Sequence, residues 1–170
     1  MLNARIGRSF YNYGPIILLY YLSISEIDAH FENYFSILSF NIQFIVIYFW
    51  VLKRPAVLGN GHIFLAGLIN DVVMSFPLGS SSLSYLAISF VATYIRNMSV
   101  NSSIISDTTT FLIASIIAKL VFYVLISNFS EISITYTGMF YNVFFSLLFF
   151  PPFWLIFKLY NSNITIGKNA

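Results

Sequence analysis

The sequence predicts an all-α integral membrane protein: a bundle of six transmembrane helices with both termini in the cytoplasm. Composition, a series of apolar runs and a segregation of charge lead to this prediction. Apolar residues make up 58% of the 170 residues, and charged residues only 8%. Soluble domains carry roughly 25% charged residues. So little charge cannot cover a globular surface in water, whereas lipid requires an apolar surface.

Six apolar runs follow one another along the chain, over about 11–25, 34–52, 62–78, 82–95, 108–127 and 134–160. A full span needs about 17–25 residues, so the first, third and fourth runs are short. No stretch between them has the composition of a soluble domain, and we therefore predict a single transmembrane domain over residues 1–170. Pro55 predicts the end of the second helix. Pro151 and Pro152 predict a break or kink in the last helix, because proline lacks a backbone donor.

The first run also has features of a signal peptide, since Arg5 and Arg8 precede a short apolar core. A cleavage site would require small residues after that core. The stretch 27–30, Ile-Asp-Ala-His, matches this requirement poorly. The sequence therefore favours an uncleaved first helix.

Charge predicts the orientation of the bundle. With six spans, the cations outside the runs and at the end of the last run all lie on one side. Lys and Arg prefer cytoplasmic loops, so this side is the cytoplasm. These cations are Arg5, Arg8, Lys53, Arg54, Arg96, Lys158 and Lys168. Four acids fall on the other side: Glu26, Asp28, Glu32 and Glu131. Five or seven spans would break this segregation. Asp107 is on the cytoplasmic side near Arg96, which is acceptable because acids influence topology weakly.

Asp71 and Lys119 are the two remaining charged residues, and both lie well inside the predicted runs. Asp71 is about 15 Å along its run from His62, and Lys119 about 18 Å along its run from Asp107, so their side chains are predicted at similar depths. A charge at mid-bilayer costs about 2.5–3.5 kcal/mol on insertion scales, and pairing would offset much of it. The pair is either a proton or ligand site or, as we favour, a structural contact between the third and fifth helices. Alternatively, Lys119 extends towards the outer interface.

Several classes of chemistry lack their sequence signatures. The chain has no cysteine, and its two histidines lack metal-ligand spacing, so no metal is expected. Neither a Walker A motif nor a dinucleotide-binding glycine pattern is present, and no serine occupies a nucleophile elbow. The separated cations do not form the basic patch that nucleic acid requires. We expect no catalytic residue, no cofactor and no nucleic-acid partner.

The middle of the chain, roughly residues 47–96, contains an ordered set of short motifs. The segment 50–55, Trp-Val-Leu-Lys-Arg-Pro, precedes 67–71, Gly-Leu-Ile-Asn-Asp, and 77–79, Pro-Leu-Gly; Tyr85 and Tyr94 follow. This order resembles the rod shape-determining protein MreD family, which has Arg-Pro after its second helix, Gly-Leu-x-x-Asp in its third and a Pro-Leu-Gly turn. The residues that carry the resemblance are Arg54, Pro55, Gly67, Asp71, Pro77, Leu78 and Gly79. The segment after Pro55 is short and not distinctive.

The resemblance implies a non-enzymatic, multi-pass component of the bacterial inner (cytoplasmic) membrane. Proteins of this family belong to the cell-elongation, or rod shape, machinery, which organises peptidoglycan synthesis. The implied partners are an MreC-like bitopic membrane protein, the peptidoglycan polymerase of the elongation complex and an actin-like cytoskeleton, besides the membrane lipid. Residues 47–96 carry the motifs; elsewhere only hydropathy agrees with the family.

Two other functions remain open at this point. The first is the substrate-binding membrane subunit of an energy-coupling-factor type vitamin or metal transporter, which is also a small six-helix bundle. Such a subunit should contain a polar or aromatic pocket that opens to the outside. The second is a proton-coupled carrier that uses Asp71 and Lys119, although one pair is little for a proton relay.

Overall fold

The computed structural model describes residues 2–25, 41–98, 103–129 and 136–166. These residues form six α-helices in the predicted order: α1 Leu2–Ile24, α2 Ile42–Lys53, α3 Asn60–Val73, α4 Ser80–Met98, α5 Ile104–Phe129 and α6 Tyr136–Ile166. Each predicted run thus overlaps one helix. The start of the second predicted run lies outside the described residues, as do the acids Glu26, Asp28, Glu32 and Glu131, and Lys168.

Helix α2 forms the centre of the bundle. All ten residues from Gln43 to Leu52 are buried, and α2 packs against α1, α4, α5 and α6. Helix α2 is apolar on nearly every side, as is typical of a helix at the centre of a bundle. The aromatic residues of α2 fill the core, where Tyr48 contacts Phe111 of α5 and Phe150 of α6, whose rings are stacked 4.4 Å apart. The second apolar run therefore supplies the hydrophobic core.

Helix α4 has its polar side inward and its apolar side outward. Five serines are buried: Ser80, Ser81, Ser82, Ser84 and Ser89. Their hydroxyls reach other helices: that of Ser82 donates to the Phe64 carbonyl and that of Ser84 to the Ala118 carbonyl. On the other side, Phe90 and Tyr94 are 73% and 58% exposed. This pattern is the reverse of that expected for a helix at a water-facing surface.

Two of the described helices are long and apolar enough to cross a membrane: α5 over its whole length, Ile104–Phe129, and α6 over Phe140–Asn161. Their outward side chains are large and apolar, including Ile113, Leu120, Phe144 and Leu148. Helix α3, with 14 residues, is about 21 Å long, shorter than the hydrocarbon core of about 30 Å. The serines of α4 lower its average hydropathy although its outer surface is apolar.

The prolines act differently in different helices. Helix α2 ends at Lys53, immediately before Arg54 and Pro55, and the chain then turns, with the Val57 N–H bonded to the Arg54 carbonyl. This confirms the predicted end of the second helix. Of the predicted break or kink at Pro151 and Pro152, the break is not observed, since α6 continues through both residues. Prolines inside helices are common in membrane proteins.

Candidate functional site

The Asp71 side chain caps the beginning of α4. Asp71 is completely buried. Its Oδ2 accepts a hydrogen bond from the Gly79 N–H at 2.8 Å, and its Oδ1 accepts one from the Ser81 N–H at 2.8 Å. The Ser80 hydroxyl lies 3.0 Å from Oδ1. The first N–H groups of a helix lack partners within it, and the N-terminus attracts negative charge. We call this arrangement the Asp71 cap; it satisfies both carboxylate oxygens without a cation.

The turn between α3 and α4 has the geometry that the Asp71 cap needs. Gly79 has φ +99°, a conformation that residues with a Cβ atom rarely adopt, so a glycine is required there. At the end of α3, Ser75 has φ +56° and the Phe76 N–H bonds back to the Asp71 carbonyl. This pattern closes the helix and normally uses glycine at the left-handed position. The chain therefore turns at Pro77–Gly79, between α3 and α4.

Helices α3 and α4 approach closely at Gly67. A Cβ atom at Gly67 would lie 2.4 Å from the Ser82 Cα and 2.6 Å from the Ser82 N, far inside van der Waals contact. One turn further along α3, the Asn70 Nδ2 donates to the Ser81 hydroxyl at 3.0 Å. Gly67, one of the residues of the sequence motifs, therefore permits the close approach of the α4 backbone.

The structure does not bring Asp71 and Lys119 together as a pair. Asp71 lies two residues before the end of α3, and the Asp71 cap occupies its carboxylate. The Lys119 ammonium instead lies 5.2 Å from the centroid of the Phe44 ring and 5.8 Å from that of Phe122. The prediction placed Asp71 in the middle of an apolar run that extends to Leu78. Because α3 ends at Val73, the α4 N-terminus is within reach of Asp71 and provides its partners.

A cavity of about 110 Å³ lies beside the Asp71 cap, and we call it the polar cavity. Residues of α2 to α6 and of the segments before α2 and after α3 line it: Asn41, Phe44, Asn70, Met74, Phe76, Ser81, Ser84, Tyr85, Lys119, Phe122 and Asn142. Lys119 is the charged residue of this lining. Asn70 is 6% exposed, and its Oδ1 has no hydrogen-bond partner among the described residues. The sequence did not predict this cavity, since its polar residues come from helices far apart in the chain.

The opposite end of the bundle contains the ion pair of the described residues. The Lys53 Nζ at the end of α2 lies 2.6 Å from the Asp107 Oδ2 in the first turn of α5. The Trp154 Nε1 of α6 donates to the same oxygen at 2.9 Å. Asp107 and Trp154 are both buried, with exposed fractions of 4% and 6%. We call this group the Lys53–Asp107 cluster. The sequence predicts Asp107 near Arg96 on the cytoplasmic side but does not indicate its contacts with Lys53 and Trp154.

Other cations join this end of the bundle. The Arg96 guanidinium, near the end of α4, donates to the Val51 carbonyl at 3.0 Å. The Lys158 ammonium lies 4.8 Å from the centroid of the Trp154 ring, close enough for a cation–π contact. The C-terminal ends of α2 and α4, the beginning of α5 and the Lys158 region of α6 therefore meet. Asp71 and the polar cavity lie where α3 ends and α4 begins.

The remaining residues of the sequence motif have ordinary structural roles. Arg54 caps α2 through its N–H, which bonds to the Trp50 carbonyl, and Pro55 is exposed in the following turn. Leu78 is exposed, Tyr85 is buried against Phe44, and Tyr94 is exposed. Within the described ranges, no cluster of three or more His, Cys, Asp or Glu side chains has the arrangement of a metal site.

Comparison with known proteins adds no relative: no family model, no curated protein and no solved structure matches this chain.

Proposed function

We propose that this chain is a non-enzymatic, six-span protein of a bacterial inner membrane that belongs to the cell-elongation machinery, with both termini in the cytoplasm. Its implied partners are an MreC-like bitopic protein, the peptidoglycan polymerase of the elongation complex and an actin-like cytoskeleton. The proposal rests on the ordered motifs that resemble the MreD family and on the structural unit that these motifs form.

One observation carries the proposal: the separate motif residues Gly67, Asp71 and Gly79 act together in one α3–α4 hairpin. Gly67 admits the α4 backbone, and Asp71 bonds to the Gly79 and Ser81 N–H groups. Residues with this mutual dependence must occur together if the hairpin is to form, which supports reading them as one motif.

The membrane bundle has independent support in the reversed polarity of α4. Its serines are buried and bond to neighbouring helices, whereas Phe90 and Tyr94 are exposed. In lipid, inward hydroxyls associate helices and outward apolar side chains face hydrocarbon. The meeting of Lys53, Arg96 and Lys158 at one end supports a single cytoplasmic side. Reporter fusions test this: those after Arg54, Arg96 and Ala170 should report the cytoplasm, and one after Leu78 the outside. A C-terminal fusion that reports the outside would exclude six spans.

Depletion of the protein from rod-shaped cells tests the function. We expect round cells with unchanged vitamin uptake, and an MreC-like protein should co-purify in mild detergent. The effects of two variants on cell shape are compared: Gly67→Leu separates α3 from α4, whereas Arg54→Gln changes a side chain at the end of α2. Normal cell shape with loss of uptake of one small nutrient would contradict the proposal.

That last outcome would favour the alternative, a substrate-binding subunit of an energy-coupling-factor type transporter. The polar cavity is the observation in its favour. Its volume of about 110 Å³, however, is well below the range of roughly 300–1,000 Å³ typical of drug-sized ligand pockets, and a vitamin would not fit without rearrangement. The hypothesis of a proton-coupled carrier required an Asp71–Lys119 pair, and these two residues do not form one.

A further inference from the structure

Lys158 is a cation on the apolar outer surface of α6. Its side chain is exposed, and the neighbouring Leu155, Ile156 and Leu159 are each more than half exposed. The stretch of α6 that is long and apolar enough to cross a membrane ends at Asn161, which is about 4.5 Å beyond Lys158 along the helix axis. In a bilayer, Lys158 therefore lies where the hydrocarbon meets the headgroups.

The charge of Lys158 is not neutralised within the part of the chain that the structure describes. The one ion pair there joins Lys53 to Asp107, and the Lys158 ammonium contacts the Trp154 ring. The C-terminal end of α6 does not stabilise it either, because the helix continues to Ile166 and the effect of a helix dipole is confined to the last turn. An anion from outside the chain can therefore bind to this ammonium.

The end of the bundle that contains Lys158 has an excess of positive charge. The described residues there include four cations and one acid, a net charge of +3: Lys53, Arg54, Arg96, Lys158 and Asp107. The acid is already bonded to Lys53. No Asp or Glu follows Glu131 in the sequence, so the rest of the chain after α5 adds no acidic side chain. Clustered Lys and Arg beside a membrane attract anionic lipids.

Trp154 holds the Lys158 ammonium in position. The Trp154 Nε1 donates to the Asp107 Oδ2 at 2.9 Å, and the side chain is buried, so the ring is fixed against α5. The Lys158 and Lys53 Nζ atoms lie 4.8 Å and 5.8 Å from the centroid of this ring. A cation that is already positioned loses less side-chain entropy when it binds an anion.

We propose that the surface of α6 around Lys158 binds an anionic phospholipid, whose headgroup phosphate contacts the ammonium and whose acyl chains lie against Leu155, Ile156 and Leu159. The excess of positive charge favours a lipid with a net negative charge over a zwitterionic one, whose own cation is repelled. This inference rests on the membrane bundle of the proposed function, but not on the role in cell elongation. A lipid bound there stabilises the folded bundle.

Native mass spectrometry of the full-length protein in mild detergent measures the lipid preference. The micelles contain equal amounts of dioleoyl phosphatidylglycerol and dioleoyl phosphatidylcholine. We expect about tenfold more bound phosphatidylglycerol than phosphatidylcholine, since each Lys or Arg near an anionic headgroup strengthens binding about fivefold. The preference should fall as the ammonium acetate concentration rises, because salt screens exposed charges. Equal binding of the two lipids by the wild type would overturn the proposal.

Three variants test whether Lys158 is the site. Lys158→Gln should lower the preference for phosphatidylglycerol about fivefold. Lys158→Arg should retain it, because a guanidinium also stacks on an aromatic ring and binds phosphate. Lys168→Gln is the matched control, since it removes the same charge near the C-terminus of the chain, and it should change the preference much less. Equal effects of Lys158→Gln and Lys168→Gln, or no effect of Lys158→Gln, would overturn the proposal.

An acidic protein segment is the other partner that this charge could attract. A hexaglutamate peptide added to the same samples should not displace phosphatidylglycerol, because the peptide has no acyl chains to lie against the apolar side chains beside Lys158. Displacement by the peptide in the wild type, and not in Lys158→Gln, would overturn the lipid site in favour of a protein partner. Loss of the lipid proposal would leave the role in cell elongation intact, since the depletion experiment tests that role separately.

Discussion

The two buried carboxylates of the described residues are stabilised by different means. Asp71, at the α3–α4 turn, accepts hydrogen bonds from the Gly79 and Ser81 N–H groups, which are close to it in the sequence. Asp107, at the opposite end, is paired with Lys53, 54 positions away, and with Trp154. A carboxylate in an apolar bundle therefore does not by itself indicate a cation partner. A helix N-terminus serves the same purpose, because its N–H groups also need an acceptor.

Removal of the Asp71 carboxylate should have the largest effect. Asp71→Ala leaves the Gly79 and Ser81 N–H groups without their acceptor, and we expect a loss of about 3 kcal/mol in the free energy of unfolding, since bonds to charged groups contribute roughly 1.5–3 kcal/mol each and are not additive. Unfolding in mixed detergent micelles measures it. Asp71→Asn keeps one acceptor oxygen and should lose less. An Asp71→Ala protein as stable as the wild type would show that the Asp71 cap does not stabilise the turn.

The second prediction concerns the close approach of α3 and α4 at Gly67, near the Asp71 cap. Gly67→Ala places a Cβ atom 2.4 Å from the Ser82 Cα and should destabilise the protein by about 2 kcal/mol, as overpacking usually does. Gly61→Ala is the matched control in the same helix, because nothing lies within 4 Å of its added Cβ. That control should be neutral or slightly stabilising. Equal effects at Gly67 and Gly61 would contradict the close packing.

At the opposite end, Trp154→Phe should have a smaller effect. It removes the indole N–H that donates to the Asp107 Oδ2 but keeps an aromatic side chain and the bond from Lys53. We expect a loss of about 1–2 kcal/mol, read from the same unfolding measurement. Phe153→Leu, on the adjacent position of α6, controls for changes in aromatic packing. If Trp154→Phe lowered the free energy of unfolding more than Asp71→Ala does, the expected order of the two effects would be wrong.

The smallest expected effect is a gain. Ser75 ends α3 with φ +56°, a conformation that costs a residue with a Cβ atom about 1–2 kcal/mol. Ser75→Gly should therefore stabilise the protein by about 0.5–1 kcal/mol, after the greater flexibility of glycine in the unfolded chain is subtracted. Ser106→Gly, inside α5, should destabilise it instead. A loss of stability in Ser75→Gly would show that the serine side chain itself matters.

The order of the helices and the end of α2 before Pro55 follow from the sequence, because both depend on local chemistry. The end of α3 does not. Met74, Phe76 and Leu78 in the turn are apolar, so the apolar run continues past Val73. The sequence therefore does not indicate that Asp71 is close enough to α4 to cap it. The polar cavity and the Lys53–Asp107 cluster also escape prediction, since their residues come together only when distant helices pack.

Two double-mutant cycles, measured side by side, test most directly whether one carboxylate is held by a helix N-terminus and the other by a cation. The first combines Asp107→Asn with Lys53→Met, and the second Asp71→Asn with Lys119→Met; the free energy of unfolding is measured for each single and double variant. Groups in contact couple by about 0.5–3 kcal/mol, whereas independent groups add within about 0.5 kcal/mol. We predict a coupling of about 1–3 kcal/mol for Lys53 and Asp107 and additivity for Asp71 and Lys119. Strong coupling of Asp71 to Lys119, with additive effects at Lys53 and Asp107, would contradict the account.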